Sequence, residues 1–296
     1  MNAEMLARMT SGKGFIAALD QSGGSTPKAL KAYGIPEDAY NGEEEMFDMV
    51  HAMRTRIIKS PSFTNERILA AILFEMTMER KIDDKFTADY LWEEKGIIPI
   101  LKIDKGLAPL ENGVQLMKPI PGLEETLKHA VEDRHIFGTK ERSNIMELNE
   151  AGIKAIVDQQ FDLGLTVCKA GLVPILEPEV NINCPDKEAV EDCLNANIME
   201  HLAALPDDVR LMFKLTIPTK AGLYTDVMND PHVIRVVALS GGYTREKANE
   251  LLARNPGLIA SFSRAFMEGI TAQDSDEEFD AKMKAAADSI YEASIT

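Results

Sequence analysis

Positive charge is scarce in this chain: 32 lysines and arginines stand against 48 aspartates and glutamates, a formal net charge of -16 over 296 residues. Such a surface repels phosphate backbones and anionic lipid, which excludes nucleic acid and the membrane surface as principal partners. An anionic ligand would need its cations concentrated in one place. Cysteine is sparse too. Cys168, Cys184 and Cys193 form an odd set without Cys-x-x-Cys spacing, which excludes a disulfide framework and fits a reducing, cytoplasmic setting. The five histidines, His51, His129, His135, His201 and His232, make no His-x-x-x-His pair, and only His135 falls on an expected strand, near its start. A metal centre is therefore not expected, and neither is any other cofactor. No apolar run is long enough to cross a membrane, and Met1–Thr10 carries acidic and polar residues rather than the apolar core of a signal peptide. Nor is there a linker rich in glycine, proline or serine, so one domain spanning 1–296 is expected.

What the chain does have is a regular recurrence of short apolar runs. Hydrophobic residues make up 45% and charged residues 27%, an ordinary globular balance. Eight runs stand out: 14–20, 68–74, 97–104, 135–140, 172–180, 210–218, 234–240 and 258–264. They are nearly continuous rather than alternating, as strands covered on both faces are. Helical stripes lie between them, at Met46, Val50, Met53 and Ile57; at Leu123, Leu127 and Val131; at Ile153, Ile156 and Val157; and at Phe279, Met283 and Ile290. The acidic run 274–278 reads as a helix start. Strands beginning roughly 24 to 54 residues apart, each followed by a helix, fit βαβ steps. Eight such steps in a chain of this length predict an α/β fold, a single (β/α)8 TIM barrel.

Active sites of such barrels lie at the C-terminal ends of the strands. Those ends read Asp20; Glu75; Lys102 with Asp104; Lys140 with Arg142; Glu177 with Glu179; Lys214; Ser240 with Gly241 and Gly242; and Ser261, Ser263 and Arg264. A lone lysine in an apolar strand, such as Lys214 in Arg210–Pro218, reads first as a surface residue, and Lys105 and Lys118 keep that reading. Lys102, Lys140 and Lys214 at three strand ends of one mouth read differently. Neighbouring cations and desolvation disfavour the ammonium form, so one of them can be a neutral amine near pH 7 and attack a carbonyl as a nucleophile. Glu177, set among prolines and apolar residues, is expected to have a raised pKa and to carry protons both ways, with Asp20 as a second proton-transfer group. Singly, either acid reads equally well as a structural ion-pair partner. The paired glycines after the seventh strand, with Arg264 after the eighth, suggest one phosphate site. The loop from Gln21 to Lys28, with Ser22 and Ser25, suggests another.

In order and on the right strands, the segments Ala18–Ser25, Leu101–Gly106, Gly138–Arg142, Leu176–Glu179, Phe213–Thr216, Leu239–Gly242 and Ser261–Ala265 resemble class I fructose-bisphosphate aldolase in its shorter bacterial form. The resemblance implies reversible, metal-independent cleavage of a sugar bisphosphate, fructose 1,6-bisphosphate, into glycerone phosphate and glyceraldehyde 3-phosphate, a step of glycolysis and gluconeogenesis. It implies Lys214 as the Schiff-base lysine and Glu177 as the acid of carbinolamine formation and breakdown. Asp20 matches the aspartate at the C4 hydroxyl, and Lys140 the lysine that stabilises charge beside it. Lys102, Arg142 and Glu179 match supporting positions. Ser240, Gly241, Ser261 and Arg264 match the C1-phosphate site, and Ser22, Ser25 and Lys28 fall where the other phosphate is held. Two departures from animal members stand out: Ala29 replaces an arginine after the first-strand loop, and the chain stops at Ser294-Ile-Thr296 without an arm ending in tyrosine, so Glu177 or water is expected to handle that proton. The resemblance leaves the oligomeric state open, a homo-oligomer included. Alternatives of neighbouring kind are a Schiff-base aldolase for another phosphorylated ketose such as tagatose 1,6-bisphosphate, and a non-catalytic phosphate-binding barrel.

Overall fold

The computed structural model describes residues 2–22 and 24–296. Every one of the eight apolar runs forms a strand: β1 Phe15–Leu19, β2 Ile68–Leu73, β3 Ile98–Lys102, β4 Gly138–Ile145, β5 Val173–Val180, β6 Leu211–Thr216, β7 Val233–Leu239 and β8 Ile259–Ala260. They pair in parallel in chain order. The Ala18 N–H donates to the Phe262 carbonyl at 3.2 Å across the gap between β1 and the end of β8, bringing the sheet round into a (β/α)8 TIM barrel. Parallel neighbours need long crossovers, and these carry the main helices: α1 Ala3–Ser11 before the barrel, then α2 Thr26–Ala32, α3 Gly42–Lys59, α4 Leu123–Glu132, α5 Glu150–Lys169, α6 Lys187–Leu202, α7 Arg245–Leu252 and α8 Asp276–Ser294.

The apolar positions fall into two layers. Ile16, Ala18, Ala70, Ile72, Ile98, Ile100, Val173, Ile175, Met212, Val237 and Ile259 form one buried cluster, the barrel interior, and Met5 and Met9 of α1 join it at its N-terminal end. Alternate strand residues such as Phe15, Ala17, Leu176 and Phe213 pack instead with the helix stripes Met46, Val50, Met53 and Ile57 of α3, Ile153, Ile156 and Val157 of α5, and Phe279, Met283 and Ile290 of α8. Both faces of each strand are covered, which is why the strands read as unbroken apolar runs. Each fully buried aliphatic side chain contributes roughly 1.5–3 kcal/mol relative to exposure. The acidic run before α8 does start that helix, through a capping box between Ser275 and Glu278.

Three strand boundaries depart from expectation, two of them in β4. His135 is not on β4: it takes a left-handed φ of 52° and its ring faces Asp89 Oδ1 at 2.8 Å, so the strand begins three residues later. β4 then runs on to Ile145 because the short strand Val114–Gln115 pairs antiparallel with its last two residues. Lys140 and Arg142 thus sit within a strand rather than after one. At the other extreme β8 ends at Ala260, and Arg264 opens a single helical turn, Arg264–Met267.

Candidate active site

Side chains of a strand alternate between its faces, so a residue two or four positions beyond an inward apolar residue points into the same lumen. Ile16 and Ala18 thereby aim Asp20 inward, Ile98 and Ile100 aim Lys102, Ile175 aims Glu177 and Glu179, Met212 aims Lys214, and Ile259 aims Ser261. Register carries the same phase across the sheet, with Lys140 opposite both Lys102 and Ile175. Hydrophobic pattern fixes register, and register delivers the charged groups to one mouth.

There they meet. Lys140, 2% exposed, holds its ammonium 2.8 Å from Asp20 Oδ2 and 2.8 Å from Glu177 Oε2. The other oxygen of Glu177, Oε1, lies 3.1 Å from Lys214 Nζ. Asp20, Lys140, Glu177 and Lys214 therefore form one continuous row of alternating charge, drawn from β4, β5, β6 and the end of β1, with Lys214 4% exposed and Glu177 3%. Beside it Lys102 Nζ contacts Asp104 Oδ1 at 2.6 Å, and Asp104 also accepts from the backbone N–H groups of Gly106 and Arg142. Arg142 Nε pairs with Glu179. Each cation here has a carboxylate partner, which is what makes burying so many charges tolerable.

The ionisation states follow from this packing. Burial alone would push Asp20 up, but Lys140 and then Lys214 outweigh it and hold the carboxyl below its ordinary range. Glu177 behaves likewise: burial favours its acid form, yet Lys140 and Lys214 hold it below the usual carboxylate value. The expected raised pKa of Glu177 is thus not found; the lysines on either side reverse it. Burial opposes the charge of Lys140, but Asp20, Glu177 and Asp104 overcome it and raise its pKa. Lys102 is the lysine pulled down, by burial and by Lys140, against the pull of Asp104.

The glycine pair after β7 adopts the conformations that demand glycine. Gly241 has φ 61° and Gly242 φ 119°, and a Cβ on Gly241 would stand 2.4 Å from Ile182 Cγ2. Arg264 is exposed and reaches Gly242, with Nη2 3.5 Å from where a Cβ of that glycine would sit. Ser240 is buried, and so is Ser261, whose hydroxyl has no hydrogen-bond partner among the described residues. Ser240, Gly241, Gly242 and Arg264 therefore do converge. In the other loop the Ser22 carbonyl accepts from the N–H groups of Ser25 and Thr26, and the Ser22 N–H donates to Ser25 Oγ at 3.0 Å. The hydroxyl of Ser25 is engaged in that turn, whereas Lys28 is exposed on α2. Gly23 of this loop lies outside the described residues. Glu75 stands apart, paired with Lys105 at the half-exposed rim.

Three buried polar residues escaped the strand-end reading. Arg54 of α3 is fully buried; its Nη1 donates to Thr77 Oγ1 at 2.6 Å and its Nη2 to the Gln21 carbonyl at 2.6 Å. Burial brings its pKa down to about 10, with Asp20 pulling the other way. Its spacing of four from both Val50 and Ile58 on the buried face of α3 was the available signal. Gln21 is engaged by that arginine. Glu141, in β4, points outward between the strand and α5, and burial pushes its pKa well above the ordinary carboxyl value. Among the described residues its Oε1 has no partner, nor does Oε1 of Gln160, whose amide donates to the Glu141 carbonyl and to Ser143 Oγ. Among the described residues no group of three or more His, Cys, Asp or Glu side chains could hold a metal ion, and no helix is long and apolar enough to cross a membrane.

The family model for fructose-bisphosphate aldolase class-I matches residues 2–205. A fructose-bisphosphate aldolase class 1 of Clostridium acetobutylicum is 59% identical over 296 residues, covering all of both chains. Among solved structures, a fructose-bisphosphate aldolase from Plasmodium falciparum superposes with a TM-score of 0.73 at 20% identity, over 99% of this chain and 95% of that one, a likeness of fold.

Proposed function

The chain belongs to the class I fructose-bisphosphate aldolases, and from that membership we propose that it cleaves fructose 1,6-bisphosphate reversibly through a Schiff base on Lys214. The observation that carries this reading is the placing of Glu177 between Lys140 and Lys214, 2.8 and 3.1 Å from their ammonium nitrogens. It puts a proton carrier beside an inward-facing amine at the C-terminal mouth of the barrel.

The Lys214 amine adds to the C2 carbonyl of the open-chain ketose, giving a carbinolamine. Glu177, held as a carboxylate before substrate arrives, carries the proton released from nitrogen to the carbinolamine oxygen, and a second proton drawn from solvent lets that hydroxyl leave as water and generates the iminium. Asp20, also held ionised, accepts the C4 hydroxyl proton. The C3–C4 bonding electrons then move toward the iminium nitrogen, leaving an enamine and freeing glyceraldehyde 3-phosphate. Protonation at C3 and hydrolysis release glycerone phosphate and restore Lys214. Lys140, fixed by both acids, supplies positive charge where the C4 alkoxide develops, a stabilisation present before reaction begins. Ser240, Gly241, Ser261 and Arg264 would hold the C1 phosphate, and Ser22, Ser25 and Lys28 the C6 phosphate, with Lys102, Arg142 and Glu179 fixing the charges between. The work would be done in the cytoplasm, in glycolysis and gluconeogenesis.

Borohydride tests this. With glycerone phosphate present it should trap a covalent adduct that peptide mass spectrometry places on Lys214, with none in its absence, and cleavage should persist in EDTA. An adduct on another lysine, or no substrate-dependent adduct, would sink the assignment; loss of cleavage with chelator would move the chemistry to a metal.

A further inference from the structure

The barrel closes at its weakest seam. β8 has two residues, and among the described residues β1 meets the chain beyond it through one backbone hydrogen bond, Ala18 to Phe262. The two candidate phosphate loops leave from the two sides of this seam: Ser22 to Lys28 follows β1, and Ser261 to Arg264 follows β8. Between them lies one side chain. Gln21 Nε2 donates to Ser263 Oγ at 2.7 Å, and Gln21 Oε1 accepts from Arg54 Nη2 at 3.1 Å. The amide orientation is dictated by its partners, since a guanidinium only donates and must face the oxygen. Arg54 is anchored in turn by Thr77 and by the Gln21 carbonyl, and among the described residues no carboxylate lies within ion-pair distance of it. A fully buried guanidinium that holds its place through neutral partners is a post, set against the corner that carries Asp20, Gln21 and Ser22.

We propose that Gln21 is a positioning residue that ties the two phosphate loops together across the barrel seam, with Arg54 as its buried anchor, and so sets the preference for a ketose bisphosphate over a monophosphate. This rests on the aldolase reading above. A monophosphate engages one loop, whose position relative to the other is then immaterial. A bisphosphate of fixed length engages both and gains only when their separation matches its own.

The test is steady-state cleavage of fructose 1,6-bisphosphate and of fructose 1-phosphate by the full-length wild type, by Gln21→Met, which keeps length and loses both hydrogen bonds, and by Ser263→Ala, which cuts the tie from the other side. Both variants should raise KM for the bisphosphate roughly five- to tenfold, the scale of one net hydrogen bond, with kcat nearly unchanged. KM for the monophosphate should move far less, so the ratio of the two kcat/KM values narrows. A merely structural role would lower Tm or the active fraction and leave that ratio alone. A ratio within about twofold of wild type in both folded variants overturns the proposal. Absence of a borohydride adduct on Lys214 in the wild type would overturn the aldolase reading itself, and this proposal with it.

Discussion

Replacing Lys140 by methionine removes the one cation that contacts both Asp20 and Glu177, each at 2.8 Å. At an effective dielectric of about 20, each contact represents roughly 6 kcal/mol of attraction, and the desolvation of a buried ammonium takes back several kcal/mol. What remains after the change is two buried carboxylates that repel each other, Lys214 being the nearest cation left to Glu177. Removing one partner of a buried ion pair costs about 3–5 kcal/mol, a large share of the roughly 5–15 kcal/mol that holds a domain together. The pH dependence identifies the cause. In the wild type the lowered pKa of Asp20 contributes stability above its unfolded value of 3.8, lost as pH falls through the folded value. In Lys140→Met both carboxyls are pushed the other way, by burial and mutual repulsion, so the folded form must retain protons that the unfolded chain releases. The deficit relative to wild type should therefore already be present at pH 4.5, where the wild type holds its full Asp20 contribution, and should grow further toward pH 8. Urea unfolding at several pH values measures it, and Lys140→Met combined with Asp20→Asn should recover part of the loss at pH 8. A loss under about 1 kcal/mol at pH 8, the scale of a surface pair, or one that does not grow with pH, would refute the reasoning.

Two further substitutions have definite signs. Glu141 has its folded pKa raised above the ordinary 4.5 by burial, so its contribution is fully present below pH 4.5 and is lost as pH rises. Glu141→Gln, which is neutral at all pH values, should match wild-type stability near pH 4.5 and exceed it by pH 8, gaining up to about 1.4 kcal/mol per pH unit until Glu141 ionises; equal unfolding midpoints at pH 8 would contradict this. Gly241→Ala places a Cβ 2.4 Å from Ile182 Cγ2 at a φ of 61°. The left-handed conformation alone costs a side chain roughly 1–2 kcal/mol, so KM for the bisphosphate should rise by about an order of magnitude, and an unchanged KM would remove the glycine loop from the phosphate site.

Most of the barrel could be read from the chain because its determinants are local. Runs such as Ile68–Leu73 and Ile98–Leu101 are buried on both faces, so each is apolar throughout. The stripe Met46, Val50, Met53 and Ile57 carries the helical period plainly. The misses are equally physical. His135 entered a predicted strand because its neighbours Ile136 and Phe137 are apolar, while in the structure it takes a left-handed φ with its ring against Asp89, which is distant in sequence. Glu177 was expected to have a raised pKa because its sequence neighbours are apolar, but its spatial neighbours are two lysines from other strands.

The sequence by itself determined that Asp20, Lys102, Glu177 and Lys214 stand in or at the ends of strands, since each lies in or closes a nearly continuous apolar run. It also determined that the chain's sparse cations would gather at strand ends. Only the tertiary structure decided which charge meets which. Lys140 lies between Asp20 and Glu177, Lys102 turns to Asp104, Arg54 reaches Gln21, and Glu141 has its pKa pushed up by burial where those of Asp20 and Glu177 are pulled down by lysines. Pairing and ionisation depend on distances of about 3 Å between residues far apart in the chain, and an electrostatic energy that varies inversely with distance and with local dielectric is set by the closing of the barrel, not by the order of residues along it.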